Sequence, residues 1–266
     1  MTRAAPPVAA LAVVIAACTP AAPHAPPPPP PTAPPEGPGL TVLTYNVNFE
    51  QFNPATVDAI RAADADIVFL QETTAQWETA LRAGLADVYP FIELRHHDPD
   101  GGMGVLARVG VVTRAWVPSP VGKFPAWCLT IDTAAGSLDV LHVHLHPPLD
   151  ENGSLVRGYF TTSDDRLLEL QAFLQCFDGP PDLAVGDFNE GEGDAVALIE
   201  ANGLRDAASA HPPASPTWRW ETGFWTMEGR PDHVFAAPPL HPRSVRVIEA
   251  GGSDHRPLLV DLVRAP

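Results

Sequence analysis

Two hydrophobic periodicities share the chain from about residue 40 onward. Short apolar or alternating runs predict strands: LTVLTYNV (40–47), DIVFLQ (66–71), GVLAR (104–108), WCLTIDT (127–133), LDVLHVHL (138–145), LAVGDF (183–188), DHVFAA (232–237), SVRVIEA (244–250) and PLLVDLV (257–263). Between them, apolar residues recur with the spacing of one helix face. Val57, Ile60 and Ala63 follow Asn53-Pro54, a cap and first-turn pair; Trp77, Leu81 and Leu85 form a second stripe. Leu170, Phe173, Leu174 and Phe177 form a third, and Val196 with Ile199 a fourth that ends at Asn202-Gly203. Many strands with a few interspersed helices, lacking regular βαβ alternation, predict a mixed α/β domain with stacked sheets. GGMGVLAR (101–108) is glycine-rich but precedes a strand, so it is no phosphate cradle. The aromatic TWRW (217–220) and GFW (223–225) read as core packing.

The N-terminus has a different character. Arg3 precedes the apolar run VAALAVVIAA (8–17), which is too short to span a bilayer and has the layout of a secretory signal. It ends in IAAC (15–18), which resembles a lipoprotein lipobox with Ile15 where Leu is more usual; Cys18 is then the lipid attachment site. Residues 19–39 are so rich in proline that they form an extended spacer instead of a core. The expected organisation is a signal peptide over 1–18, a Pro-rich linker over 19–39 and one globular domain over 40–266. That implies export and a lipid anchor on a bacterial membrane, in the periplasm or at the cell surface.

Charge narrows the partners. The chain has 16 basic and 32 acidic side chains, a formal net charge of −16, and losing Arg3 with the signal adds one more negative unit. This field disfavours polyanions unless bound cations intervene. Cys128 and Cys176 remain in the domain, where export would permit a disulfide; sequence alone does not show that they meet.

Polar residues gather where strands hand over to loops. Asn46 and Asn48 close the first strand, and Gln71 and Glu72 the second. His142, His144 and His146 alternate through another, Asp187 and Asn189 close a fourth, and Asp254-His255 precede the last. Alternation places Asp187 and Asn189 on one face with Phe188 on the other. In order, TYNVN, DIVFLQET, HVHL, GDFNE, RPDHVF and GSDHRPLLVDL resemble the endonuclease/exonuclease/phosphatase superfamily, which includes DNase I-like nucleases and neutral sphingomyelinases. The resemblance implies a DNase I-like four-layer α/β/β/α sandwich with two mixed β-sheets and the site at one edge. It also implies a metal-dependent phosphoric ester hydrolase.

Phosphate ester hydrolysis needs charge neutralised on the phosphoryl oxygens and a water placed in line. By the resemblance, Glu72, Asn46 and Asp254 are the metal residues, for Mg²⁺ first, with Mn²⁺ or Ca²⁺ as substitutes. His144 donates to phosphoryl oxygens, Asp187 activates the water, Asn189 holds water and phosphate, and His255 contacts the phosphate, oriented by Asp232. Asp66, Gln71 and His233 read as structural. HVHLH invites a zinc reading, but no second ligand set accompanies it. Arg157 and Tyr159, in the long segment 147–165, are candidates for substrate contact. With no basic patch, the expected substrate is a small phosphoester or lipid headgroup before DNA, and the chain acts as a monomer with no protein partner. The alternatives are an exported nuclease and a non-catalytic surface binding module; a binding module has no need for the whole set.

Overall fold

The computed structural model describes residues 37–97, 101–134, 136–149, 158, 161–221 and 225–265. The expected signal with Cys18, the linker up to residue 36, and Arg157 and Tyr159 lie outside them.

Two six-stranded mixed sheets stack face to face, as expected. The first runs β13-β14-β1-β2-β4-β3 and the second β5-β6-β7-β8-β12-β9. Their strands are β1 (Gly39–Asn46), β2 (Ile67–Thr73), β3 (Phe91–Arg95), β4 (Gly102–Ala107), β5 (Gly110–Val117), β6 (Ala126–Thr133) and β7 (Gly136–His144). Next come β8 (Leu183–Asp187), β9 (Arg205–Asp206), the hairpin strands β10 (Trp218–Glu221) and β11 (Thr226–Gly229), then β12 (Asp232–Ala236), β13 (Leu240–Val247) and β14 (Leu258–Arg264). Val42, Phe69 and Val105 of the first sheet meet Trp127, Val140 and Val185 of the second in one fully buried core. Helices α1 (Ala55–Ala63) and α2 (Ala75–Leu85) cover the outer face of the first sheet through Ile60, Trp77, Leu81 and Leu85. Helices α3 (Ser163–Phe173) and α4 (Asp194–Ala201) cover the second through Leu170, Phe173 and Ile199. The result is the α/β/β/α sandwich.

Local chemistry sets the helix starts. Thr74 accepts a bond from the Trp77 N–H at the head of α2, and Asn53 accepts from Ala55 N (3.0 Å) before α1. Strands β3 and β5, which carry no continuous apolar run, lie at sheet edges with only half-buried or exposed side chains. The aromatic segments depart from expectation. Trp218–Trp220 of TWRW lie on β10 of the two-stranded hairpin, and Trp220 (43%) and Trp225 (56%) are exposed.

Topology sets where the site lies. Each sheet is antiparallel except for one central parallel pair, β1 with β2 and β7 with β8. Parallel strands end on the same edge, so Asn46 and Gln71 finish side by side in one sheet, and His144 and Asp187 in the other. Gly186 (φ 138°) lets β8 approach β7 this closely: a Cβ there would lie 1.9 Å from the Val143 carbonyl oxygen.

Cys128 on β6 and Cys176, just after α3, are joined in a disulfide that closes a separation of 48 residues. Loop-closure entropy for that span is worth about 4 kcal/mol. Replacing both cysteines with Ala should lower unfolding free energy by roughly 2–4 kcal/mol in denaturant titration. Wild-type protein measured under reductant should shift in the same direction.

Candidate active site

One carboxamide joins the two sheets at this edge. Asn46 Nδ2 donates to Glu72 Oε1 (2.9 Å) and to Asp187 Oδ2 (3.1 Å), while its Oδ1 accepts from Asn48 N (3.1 Å). Glu72 sits where the β2–β4 register shifts, with a left-handed backbone (φ 61°), and its second oxygen accepts from Phe49 N (3.1 Å). Gly101 (φ 81°) explains the glycine run of 101–104. A Cβ there would lie 2.8 Å from Glu72 Cα, so only glycine lets the chain pass behind the carboxylate.

Asp187 is buried in the second sheet. Its Oδ1 accepts from Asn189 N (2.8 Å), and its Oδ2 lies 3.6 Å from His255 Nε2 and 3.7 Å from His144 Nε2. His255 Nδ1 donates to Asp232 (2.9 Å to Oδ2), and Asp232 is register partner to Asp187. Burial alone lowers the His255 pKa, but Asp232 and Asp187 outweigh it and raise it, holding the ring as imidazolium. Burial raises the Asp187 carboxyl, with His255 opposing. His144 is its counterpart: burial, with His255 and His142 nearby, holds it well below the ordinary imidazole pKa and therefore neutral. Its ring stacks on Phe124 (centroids 3.7 Å apart, planes 11° apart).

Two placements differ from simple alternation. Strand β8 ends at Asp187, and Asn189 adopts a left-handed backbone (φ 53°). The turn, not the strand face, therefore sets Asn189, whose Nδ2 donates to Leu145 O (2.8 Å). Phe188 does face away, packed against Phe235 in the outer core. Asp254 sits apart from the buried chain: Asn48 Nδ2 and Trp218 Nε1 each donate to one of its oxygens at 3.0 Å. Although burial opposes it, His255 and these donors keep its carboxyl below the usual range.

Among the described residues, His142, His146 and His233 each have partners within the protein. His142 Nε2 meets Gln71 Nε2 (2.8 Å) between the sheets, burial pushes its pKa down to about 3, and His146 Nδ1 donates to the Pro147 carbonyl (2.8 Å). His233 bridges Asp206 (3.1 Å) and the Glu190 carbonyl (2.9 Å), and Asp66 accepts from Thr41 N (2.8 Å). Sequence reasoning missed the parts that act from a distance. Phe124, Trp218 and the buried Arg166–Glu190 pair (2.8 Å) carry no local signature of their roles. Arg166 also donates to Thr162 Oγ1 (2.7 Å) and His146 O (3.3 Å), and Glu190 accepts from Val196 N (3.0 Å). This brace ties α3, the end of β7 and the Asn189 turn together.

The residues of this cluster could hold a divalent cation. Among the described residues Asp187, Asp232 and His255 bring ligand atoms within 4.8 Å of one another, but the His255 ring already fills the space between the two carboxylates. Glu72 could hold it instead. Its side chain is 18% exposed, burial pushes its pKa up, and among the described residues no Lys or Arg pairs with it. An oxygen donor set of this kind, Glu72 with the Asn46 amide and Asp254 nearby, suits a hard cation.

The profile of the endonuclease/exonuclease/phosphatase family matches residues 43–255. The chain belongs to this family. It is therefore a phosphate-ester hydrolase, in a family that generally uses a divalent metal. Among solved structures it is similar to D. rerio TDP2 complexed with single strand DNA product (TM-score 0.67, 19% identity, 84% of this chain and 98% of that one). It is also similar to a Bacteroides thetaiotaomicron mannosyl-6-phosphatase (0.60, 18%, 84% and 99%). A third is an endonuclease/exonuclease/phosphatase from Beutenbergia cavernae (0.63, 23%, 86% and 72%). No curated protein matches the chain in sequence.

Next to the site, fully buried Glu169 accepts from Ser119 Oγ (2.7 Å) and His146 N (2.6 Å), and burial raises its pKa from 4.5 to about 7. Between those two values the unfolded chain has lost this proton and the folded chain keeps it, so stability falls as pH rises. Glu169→Gln removes this linkage. Its stability relative to wild type should increase from about pH 4.5 to about pH 7 and level off above, as read by denaturant unfolding across pH.

Proposed function

We propose that this protein is an exported, lipid-anchored, divalent-metal-dependent phosphoesterase that cleaves its substrate by in-line attack of water. The observation that carries the reading is the connected set Asp232–His255–Asp187–Asn46–Glu72, which spans both sheets. Asp187 is placed to orient a water and take its proton, since its raised pKa suits a base working near neutral pH. The His255 imidazolium, fixed by Asp232, donates to a phosphoryl oxygen, and neutral His144 donates to another. Asn189, held by Leu145, positions water and phosphate beside Asp187. Glu72, with Asn46 and Asp254, would hold Mg²⁺, or Mn²⁺ or Ca²⁺ in its place, to neutralise charge on the phosphate.

Small phosphoesters or lipid headgroups are the favoured substrates. Duplex binders neutralise a run of phosphates with Lys and Arg, and this chain is acidic with a single lysine. A nuclease is the second reading, supported by the similar TDP2 solved with a DNA product. Export is supported by the joined cysteines, because disulfides persist in oxidising compartments.

Asp187→Asn should cut turnover by roughly 10²–10⁴-fold with little change in unfolding, and Glu72→Gln should raise the Mg²⁺ concentration needed for half-maximal rate. The assay compares 4-nitrophenyl phosphate mono- and diesters, phospholipid and plasmid DNA, with Mg²⁺ or chelator. Near-normal rates in both variants at saturating metal would remove the assignment; plasmid cleavage lost in Asp187→Asn would favour the nuclease. For the anchor, Cys18→Ser should move the protein from the detergent phase to the aqueous phase. Identical partitioning of wild type and variant would show that no lipid is attached there.

A further inference from the structure

We propose that Lys123 and the loop that carries it recognise a second anionic group on the substrate, a phosphate or carboxylate close to the scissile phosphate. The proposal rests on the phosphoesterase reading and narrows its substrate class.

Lys123 is the only lysine in a chain with 32 acidic side chains. Arg61, Arg82, Arg95, Arg108, Arg166 and Arg243 each hold a carboxylate. Among the described residues Lys123 holds none. Residues 118–125 connect β5 to β6, and both ends of this loop are pinned to the site. At one end Ser119 Oγ donates to buried Glu169 (2.7 Å) and accepts from Val121 N (3.1 Å). At the other, Phe124 is buried with its ring against His144 (3.7 Å), and His97 meets its edge (6.3 Å). Gly122 (φ 79°) makes the turn between the two pins. Lys123 therefore follows a fixed turn and directly precedes the ring that backs His144. It is half-buried and near enough to His146 to oppose protonation of that ring.

The electrostatic setting gives this position its meaning. Glu72, Asp187, Asp232 and Asp254 make the pocket negative, and a cation bound there answers the reacting phosphate. A further negative group on the substrate would be repelled around most of the rim. Beside Lys123 it would meet an ammonium that none of the described carboxylates holds, in a partly desolvated position where a charge pair is worth more than in bulk water. A substrate with two anionic groups can thus be told from one whose second group is neutral.

The test uses three 4-nitrophenyl phosphodiesters that differ only in the second ester group: 2-carboxyethyl, 2-phosphonoethyl and the neutral 2-carbamoylethyl. The readout is the ratio of kcat/KM for each anionic diester over the neutral one. In wild type the ratio should exceed one and fall with added salt, and the larger of the two ratios identifies the preferred anion. Lys123→Ala should reduce it about tenfold and Lys123→Glu further, while Lys123→Arg retains most of it. An unchanged ratio in Lys123→Ala and Lys123→Glu would overturn the proposal. A parallel loss on all three diesters would overturn it too, because the residue would then serve the scissile phosphate or the loop itself. If wild type hydrolyses the neutral diester without preferring an anionic one, the proposal fails and the phosphoesterase reading stands. If wild type hydrolyses none of them but cleaves another ester of the activity panel, the proposal fails and the phosphoesterase reading stands; inactivity on every ester of the panel would overturn both.

Discussion

The Asn46 carboxamide is the contact on which this site depends. Glu72 comes to the shared edge from the first sheet and Asp187 from the second, and two carboxylates facing each other in a partly desolvated gap repel strongly. Asn46 places a neutral double donor between Glu72 and Asp187. An arginine or lysine there would also hold both, but it would cancel the negative charge that draws a cation. The amide fixes the geometry and leaves the charge in place.

The surrounding fold holds that geometry from behind. The parallel pairs β1–β2 and β7–β8 end their strands on one edge, and β12 delivers Asp232 opposite Asp187. The buried Arg166–Glu190 pair then secures the turn that carries Asn189. Removing one partner of such a pair costs about 3–5 kcal/mol, since the other is left charged and buried. His255 completes the arrangement as an imidazolium between two carboxylates, Asp232 and Asp187.

Solved structures at 18–23% identity share the sandwich. A fold shared this widely does not set function, which lives in the site and the segments around it. Here the rim includes the 118–125 loop and the β10–β11 hairpin, with exposed Trp220 and Trp225. Both are loop-borne, which lets them vary without disturbing the Asn46 bridge.

Strand periodicity and strand-end chemistry were readable from residue order. The core strands, four helices, the two stacked sheets and the polar residues of the site all follow from local pattern and motif, because each is encoded within a few consecutive residues. Edge strands β3 and β5 were not, since only half their contacts come from the fold and their pattern is correspondingly weak. Strand alternation did not give the left-handed backbone of Asn189, nor its side-chain bond to Leu145 some forty residues earlier. The chain order alone determined which acids, amides and imidazoles were present and that they lay at strand ends. Only the tertiary structure decided which of them meet: Asn46 with Asp187 across 141 residues, Trp218 with Asp254, Phe124 with His144, and Cys128 with Cys176. These are contacts between sheets and loops distant in sequence, and they exist only once the hydrophobic faces of both sheets have closed on one core.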